Sequence, residues 1–326
     1  RESKLKLNVL VTLMFAVTAF SGCLGYEEEE NETGNDQNEA LLDEECMEFE
    51  GLERCWDVYI PQGINPNNCL NVSCPIVIDI HGFGGTPEMQ KAVSGFDDLA
   101  DEYGFLVVYP RGYENSWNSG WCCGEARDEG LNDVGFLIKM TLEVEQRWNT
   151  DPERRYVTGL SNGCSMSQRL ANEASHIFTA VGCMAHYLLE QAYPGYSPIP
   201  IMEVHGTLDP IVPYGISYTS SAIFANNLKG EEGAVKNLEV WADMNVCSGS
   251  SPDIEIVEYD FSIIGYSQCQ NNTEVRLLTL NFGGHNPYVK DYPIDDPILG
   301  PILTGNPTGL DVSRLAWEFM SKYSKS

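Results

Sequence analysis

In Gly159-Leu160-Ser161-Asn162-Gly163 a serine stands midway between two glycines, each two positions away. A serine hydroxyl is a weak nucleophile until a base takes its proton, and it is best offered to that base from a sharp strand-to-helix turn. Such a turn strains the serine backbone and crowds the positions two before and two after it, which is where glycine is required. The preceding run Arg155-Tyr156-Val157-Thr158 is β-branched and aromatic and predicts a buried strand; Asn162 to about Ser175 predicts a helix. Chance alone gives a G-x-S-x-G match about 0.2 times in a chain of this composition, so the flanking strand and helix carry the reading of a nucleophile elbow.

Ser161 then requires a histidine, and the histidine an acid to orient it, in the chain order serine, acid, histidine. Of the five histidines, His81 comes too early, His176 ends the elbow helix, and His186 and His205 leave little room for a separate acid loop. His285 follows the strand-like Leu278-Thr279-Leu280-Asn281 and the flexible Phe282-Gly283-Gly284, and it is the histidine that lies beyond Asp209. Asp209 sits in His205-Gly206-Thr207-Leu208-Asp209-Pro210, just past a strand, where ligands gather in open sheets. Asp253, Glu255, Glu258 and Asp260 are its rivals. Acyl transfer also needs donors for the oxyanion: the Asn162 N–H comes with the elbow, and the glycine-rich loop His81-Gly82-Phe83-Gly84-Gly85-Thr86 offers the Phe83 N–H.

The elements that must hold these groups alternate along the chain. Strands are expected at Cys55 to Ile60, Pro75 to Ile80, Phe105 to Tyr109, Phe178 to Cys183, Ile199 to His205, Asp253 to Phe261 and Val275 to Asn281. Helices are expected at Met89 to Tyr103, Asn132 to Trp148, Val235 to Met244 and Asp311 to Lys322, with Asp133 as a helix cap. This predicts an α/β protein with a mostly parallel central sheet and helices on both faces.

With 19 Lys+Arg against 48 Asp+Glu the chain carries a net charge of −29, which repels nucleic acid and anionic membranes. Lys4 and Lys6 precede an apolar run from Leu7 to Phe20, and Phe20-Ser21-Gly22-Cys23 has the look of a lipoprotein cleavage box. Residues 1–23 are therefore expected to be a signal peptide, 24–45 an acidic disordered spacer, and 46–326 the catalytic domain. A lipid anchor on Cys23 is the expected link to a membrane, and the chain is expected to be secreted or cell-surface. Setting Cys23 aside leaves 10 of 11 cysteines, an even number suited to disulfides. Cys46–Cys55, Cys69–Cys74 and Cys247–Cys269 are the expected local pairs, with Cys122, Cys123, Cys164 and Cys183 pairing among themselves. Neither a repeated C-x-x-C spacing nor a histidine cluster points to a metal.

The stretch from Trp56 to His285 resembles the secreted esterase family that includes polyhydroxybutyrate depolymerases, feruloyl esterases and acetylxylan esterases. The resemblance rests on the His81-Gly82 loop, Trp121-Cys122-Cys123-Gly124, Asn132-Asp133-Val134-Gly135-Phe136, Asp151 through Gly163, His205 through Pro213, and Phe282-Gly283-Gly284-His285. It implies an α/β-hydrolase fold, the triad Ser161, Asp209 and His285, an ester substrate, and no cofactor. Trp121 matches a position near the substrate in that family; with Phe83 and Tyr288 it would give an aromatic wall. Two departures lie beside the expected pocket: Asn286-Pro287-Tyr288 follows the histidine where the family often has Trp-Pro, and Cys164 follows Gly163 where it often has a second glycine. The expected activity is a serine carboxylic-ester hydrolase acting through an acyl-enzyme. A serine peptidase of the same fold and a non-catalytic surface binding protein are the alternatives.

Overall fold

Burial alternates along the central strands in a way that fixes the architecture. On β3 (Cys74–Ile80), Ile76, Ile78 and Ile80 enter one apolar layer and Val77 the other. On β4 (Leu106–Pro110), Leu106 and Val108 join the first layer, and Val107 and Tyr109 the second. A strand buried on both sides belongs in a sheet covered on both faces. This computed structural model describes residues 41–61, 73–215, 233–288 and 305–325, all within one compact unit spanning 38–326. The expected signal peptide, most of the expected spacer and Cys23 lie outside the described residues.

The remaining strands are β1 (Leu41–Phe49), β2 (Leu52–Ile60), β5 (Thr150–Gly159), β6 (Ala180–Met184), β7 (Ile201–Gly206), β8 (Ile254–Val257), β9 (Phe261–Tyr266) and β10 (Val275–Leu280). They form one sheet in the order β1-β2-β4-β3-β5-β6-β7-β10-β9-β8. From β4 through β10 neighbouring strands run parallel, while β1, β2, β8 and β9 join antiparallel at the two edges. The helices are α1 (Pro87–Ser94), α2 (Phe96–Tyr103), α3 (Gly124–Asp128), α4 (Asp133–Trp148), α5 (Asn162–Glu173), α6 (Ala234–Met244) and α7 (Val312–Met320). Apolar residues of α4, α5 and α6 fill the first layer, and those of α2 and α7 the second. The expected α/β-hydrolase class is the observed one.

Three expectations need correction. The stretch expected as one helix from Met89 to Tyr103 is two, because Gly95 takes φ +68°, a left-handed conformation that ends α1 and redirects the chain. The stretch expected as one strand from Asp253 to Phe261 is a hairpin: the chain turns after Val257, with the Glu258 N–H donating to the Phe261 carbonyl at 2.8 Å, and β9 follows. The stretch expected as disordered spacer up to residue 45 is also partly strand. β1 begins at Leu41 and pairs with β2 from Leu41↔Ile60 to Phe49↔Leu52, with Cys46 and Cys55 directly opposite and joined as a disulfide.

Cys164–Cys183 ties α5 to β6 and Cys247–Cys269 closes the segment after α6, while the neighbours Cys122 and Cys123 pair with each other. Cys74 is also disulfide-bonded; its expected partner Cys69 lies outside the described residues.

One buried carboxyl makes stability depend on pH. Asp79 on β3 is fully buried; its Oδ1 accepts from Gln90 Nε2 at 2.7 Å, and its Oδ2 has no partner among the described residues. Burial pushes its pKa up to about 7. Between about pH 4 and 7 the folded state therefore holds a proton that the unfolded chain has released. Stability falls as pH rises through that window, by about 1.4 kcal/mol per unit at the steepest. Asp79→Asn, which keeps the shape and removes the titration, is expected to flatten this slope relative to wild type in urea melts at pH 4.5, 5.5 and 6.5. An identical slope in both proteins would refute the assignment.

Candidate active site

The elbow forms where β5 meets α5. Ser161 takes φ +56° and ψ −120°, and its N–H donates to the Met184 carbonyl at the end of β6 at 2.8 Å. The flanking glycines answer to sterics. A β-carbon at Gly163 would lie 2.0 Å from the Ile80 carbonyl oxygen, and one at Gly159 would lie 2.5 Å from the same atom. Any side chain at either position would drive the turn off β3.

The loop after β3 packs directly on this turn. A β-carbon at Gly82 would come within 3.4 Å of Ser161 Cβ, so the loop carrying Phe83 lies alongside the serine. The Phe83 N–H has no acceptor among the described residues, and the Asn162 N–H is one of the unpaired donors that open α5. His81 anchors the loop. Its Nε2 accepts from the Gly112 N–H at 2.9 Å and its Nδ1 then donates to the Gly82 carbonyl at 2.8 Å, fixing a neutral ring whose pKa burial lowers to about 4. The Asn162 side chain accepts from the Trp117 N–H at 2.8 Å and donates to the Trp117 carbonyl at 3.0 Å, while Trp117 Nε1 donates to the His81 carbonyl at 3.1 Å. Elbow, Phe83 loop and Trp117 loop thus hold one another in register.

That register is braced from below by a buried ion pair. Asp133 is the first residue of α4 rather than its cap, a role taken by Asn132 through Gly135 N–H. Its Oδ1 accepts from Arg54 Nη2 at 2.7 Å and its Oδ2 from the Asn118 N–H at 2.7 Å. The guanidinium lies 4.0 Å from the Phe136 ring centroid. Asp133→Ala leaves the Arg54 charge buried without its carboxylate, and is expected to cost about 3–5 kcal/mol, read as a lower urea midpoint. A loss under 1 kcal/mol would refute this.

Asp209 follows β7 and His285 follows β10. Since β5, β6, β7 and β10 are successive parallel strands, Ser161, Asp209 and His285 all stand at the same edge of the sheet. His285 Nδ1 lies 2.7 Å from Asp209 Oδ2, with His285 only 12% exposed and Asp209 fully buried. Asp209 Oδ1 accepts from the Ile211 and Val212 N–H groups at 2.8 and 2.9 Å. Burial alone would raise this carboxyl, but the charge of His285 and hydrogen bonds from His205 and His285 outweigh it and hold the pKa below the usual carboxylate range. The rival Asp253 is spent on the surface, binding Ser267 and Gln268. The Ser161 hydroxyl has no hydrogen-bond partner among the described residues; catalytic bonds often tighten only with substrate bound.

The aromatic wall needs revision. Tyr288 is buried in the second apolar layer, so its ring packs the core instead of facing a substrate. Trp121 is half-buried, its ring 4.9 Å from that of His186 and its Nε1 bonded to the Leu188 carbonyl. Phe83, 37% exposed, does face out, and so do two residues the sequence reading passed over: Leu208, 50% exposed beside Asp209, and Phe282, 56% exposed three residues before His285. His186 brings its ring within 4.8 Å of the Cys122 and Cys123 sulfurs, but these are joined to each other and offer no thiolates.

Residues 54–220 match the esterase PHB depolymerase family. A bifunctional acetylxylan esterase/xylanase of Neocallimastix patriciarum is 23% identical over 265 residues, covering 76% of this chain and 35% of that protein. Feruloyl esterase B of Piromyces equi is 27% identical over 222 residues, covering 65% of this chain and 40% of the relative. The chain thus spans well under half the length of these two relatives. Among solved structures, an acetyl xylan esterase from Aspergillus awamori superimposes with a TM-score of 0.52 at 15% identity, covering 71% of this chain and 89% of that one; at this identity the likeness speaks for the fold alone.

Proposed function

The chain belongs to the esterase PHB depolymerase family, and from that premise we propose that it is a serine carboxylic-ester hydrolase working through an acyl-enzyme. The observation that carries the proposal is a serine at φ +56° between two sterically required glycines, at the same sheet edge as a histidine bonded at 2.7 Å to a buried aspartate. Ser161 attacks the ester carbonyl as His285 takes its proton. The Phe83 and Asn162 N–H groups receive the charge that builds on the carbonyl oxygen. His285 then protonates the departing alcohol, and a water, deprotonated by the same ring, releases the acid. Asp209 keeps the His285 proton on Nδ1, so that Nε2 is the atom free to act as base.

Phe83, Leu208 and Phe282, each part of or next to a catalytic loop, favour esters with an apolar or aromatic portion, of the feruloyl, hydroxyalkanoate or acetylated-polysaccharide kinds. The disulfides within the body support an exported protein, because such bonds persist in oxidising compartments. The proposed anchor at Cys23 would hold it at the cell surface. Among the described residues, no helix is long and apolar enough to cross a membrane.

Initial rates on methyl ferulate, a 3-hydroxybutyrate dimer ester and acetylated xylo-oligosaccharide test the reading. One strongly preferred ester is expected. A folded protein inactive on all three, and unlabelled by a fluorophosphonate, would overturn it.

A further inference from the structure

His205, on β7, is fully buried and meets the assigned triad through Asp209, and both its ring nitrogens face acceptors. Nδ1 lies 2.7 Å from Glu203 Oε1, and Nε2 lies 2.8 Å from the Val212 carbonyl and 3.4 Å from Asp209 Oδ2. A carbonyl and a carboxylate can only accept. A neutral imidazole has one N–H, and would turn a lone pair toward one of these oxygens.

We propose that His205 is a permanently protonated positioning residue that holds the catalytic aspartate in place and offsets the charge of Glu203 beside it. The proposal rests on the reading of Asp209 and His285 as the catalytic pair.

Two functions follow from the contacts. The first is geometric. The Val212 carbonyl that His205 binds belongs to the same short loop whose Ile211 and Val212 N–H groups grip Asp209 Oδ1. His205 therefore pins the acid loop to β7 at one point while the loop pins the acid at two. The second is electrostatic. Glu203 and Asp209 are both fully or nearly fully buried, and two carboxylates so placed would force one to take up a proton. With an imidazolium between them the trio carries one negative charge. When His285 accepts the Ser161 proton, the sum with His285 becomes zero, so the buried cluster is neutral at the moment of proton transfer.

The surroundings agree. The charged and titratable groups facing His205 are Glu203 on its own strand, Asp209 on the following loop and His186 beyond β6; His285, beyond β10, meets the same Asp209 Oδ2. The rings of Tyr187 and Tyr214 lie 5.9 and 5.8 Å away. His186 stays neutral, its pKa lowered by burial to about 3. Burial works against the charged form of His205 too, but hydrogen bonds to Asp209 and Glu203 and their charge prevail and push its pKa up to about 10. Glu203 is fixed at its other oxygen by Asn237 Nδ2 at 2.6 Å, and Asn237 in turn bonds Gln168 of the elbow helix at 3.0 Å. The competing placement puts the shared proton on Glu203 and leaves Nδ1 bare. Imidazole is the more basic of the two by about two pK units, and the second carboxylate near Nε2 adds to that preference.

Nitrogen-15 NMR of histidine-labelled protein at pH 6 to 8 reads the ring directly, with His205 assigned through its contacts to Tyr187 and Tyr214. Two protonated ring nitrogens, unchanged over that range, are expected; a bare Nδ1 would overturn the proposal. In His205→Gln, one of the two buried carboxylates is left to titrate and the acid loop loses its pin, so the acid side of the kcat/KM profile is expected to shift, with kcat about tenfold lower and KM little changed. A variant with the wild-type pH profile would equally overturn it. The NMR measurement needs neither a folded variant nor turnover, so an inactive protein would sink the esterase reading and leave the protonation of His205 still decided.

Discussion

Ser161→Ala is expected to lower kcat by about 10⁵- to 10⁶-fold, some 7–8 kcal/mol of lost transition-state stabilisation, while KM stays within a few-fold. The size follows from what the substitution removes: the proposed nucleophile, without which the proposed acyl-enzyme has no route of formation. What it leaves should be intact. The bond from residue 161 N–H to the Met184 carbonyl is made by the backbone, and alanine meets no more steric difficulty at φ +56° than serine does. The Phe83 and Asn162 donors stay in place because His81, Trp117 and the Asn162 side chain hold them, not the serine hydroxyl. Residual hydrolysis above the rate in water is therefore expected, together with complete loss of fluorophosphonate labelling and an unchanged urea midpoint. Wild-type turnover in this variant would end the serine-esterase reading.

The parts of the site that could be read from sequence are those where a backbone demand leaves a residue-type trace. Gly159 and Gly163 stand where any β-carbon would strike the Ile80 carbonyl, and that restriction is visible as G-x-S-x-G. Asp209 and His285 follow β7 and β10, whose apolar runs mark the strands they leave. Other features left weaker traces. Gly95 breaks a stretch whose helix-forming residues on both sides read as continuous, and only its left-handed φ separates α1 from α2. β1 is acidic, with Glu44, Glu45 and Glu48 along it, and an acidic stretch beside a charged tail reads as spacer; pairing with β2 and the Cys46–Cys55 bond, both non-local facts, make it a strand. Tyr288 was drawn toward the substrate by its closeness in sequence to His285, whereas the chain turns inward over those three residues and buries the ring. In sequence, His205 leaves little room for a separate acid loop and so does not present itself as the base. That its two nitrogens meet Glu203, Val212 and Asp209 depends on the fold of the acid loop, although a histidine two residues after a buried-strand glutamate was a signal to weigh.

Asp209→Asn is expected to cost about 10⁴-fold in kcat, and the reason lies in which way the new amide must face. The Ile211 and Val212 N–H groups both donate to Asp209 Oδ1. An asparagine can satisfy them only by presenting its carbonyl oxygen there, which turns its NH₂ toward His285 Nδ1 in place of the acceptor now 2.7 Å away. Facing a donor, His285 is driven to the tautomer with a bare Nδ1 and a proton on Nε2, the nitrogen that should accept from Ser161. The base is then blocked with the fold and the oxyanion donors unaltered, so KM should stay near wild type. His205 Nε2 also loses its carboxylate neighbour but keeps the Val212 carbonyl. If serine, histidine and aspartate act as one unit, as proposed, the double variant Ser161→Ala/Asp209→Asn should be no slower than Ser161→Ala alone. A double variant slower by a further 10⁴-fold would mean that Asp209 acts independently of Ser161, and the triad assignment would fail.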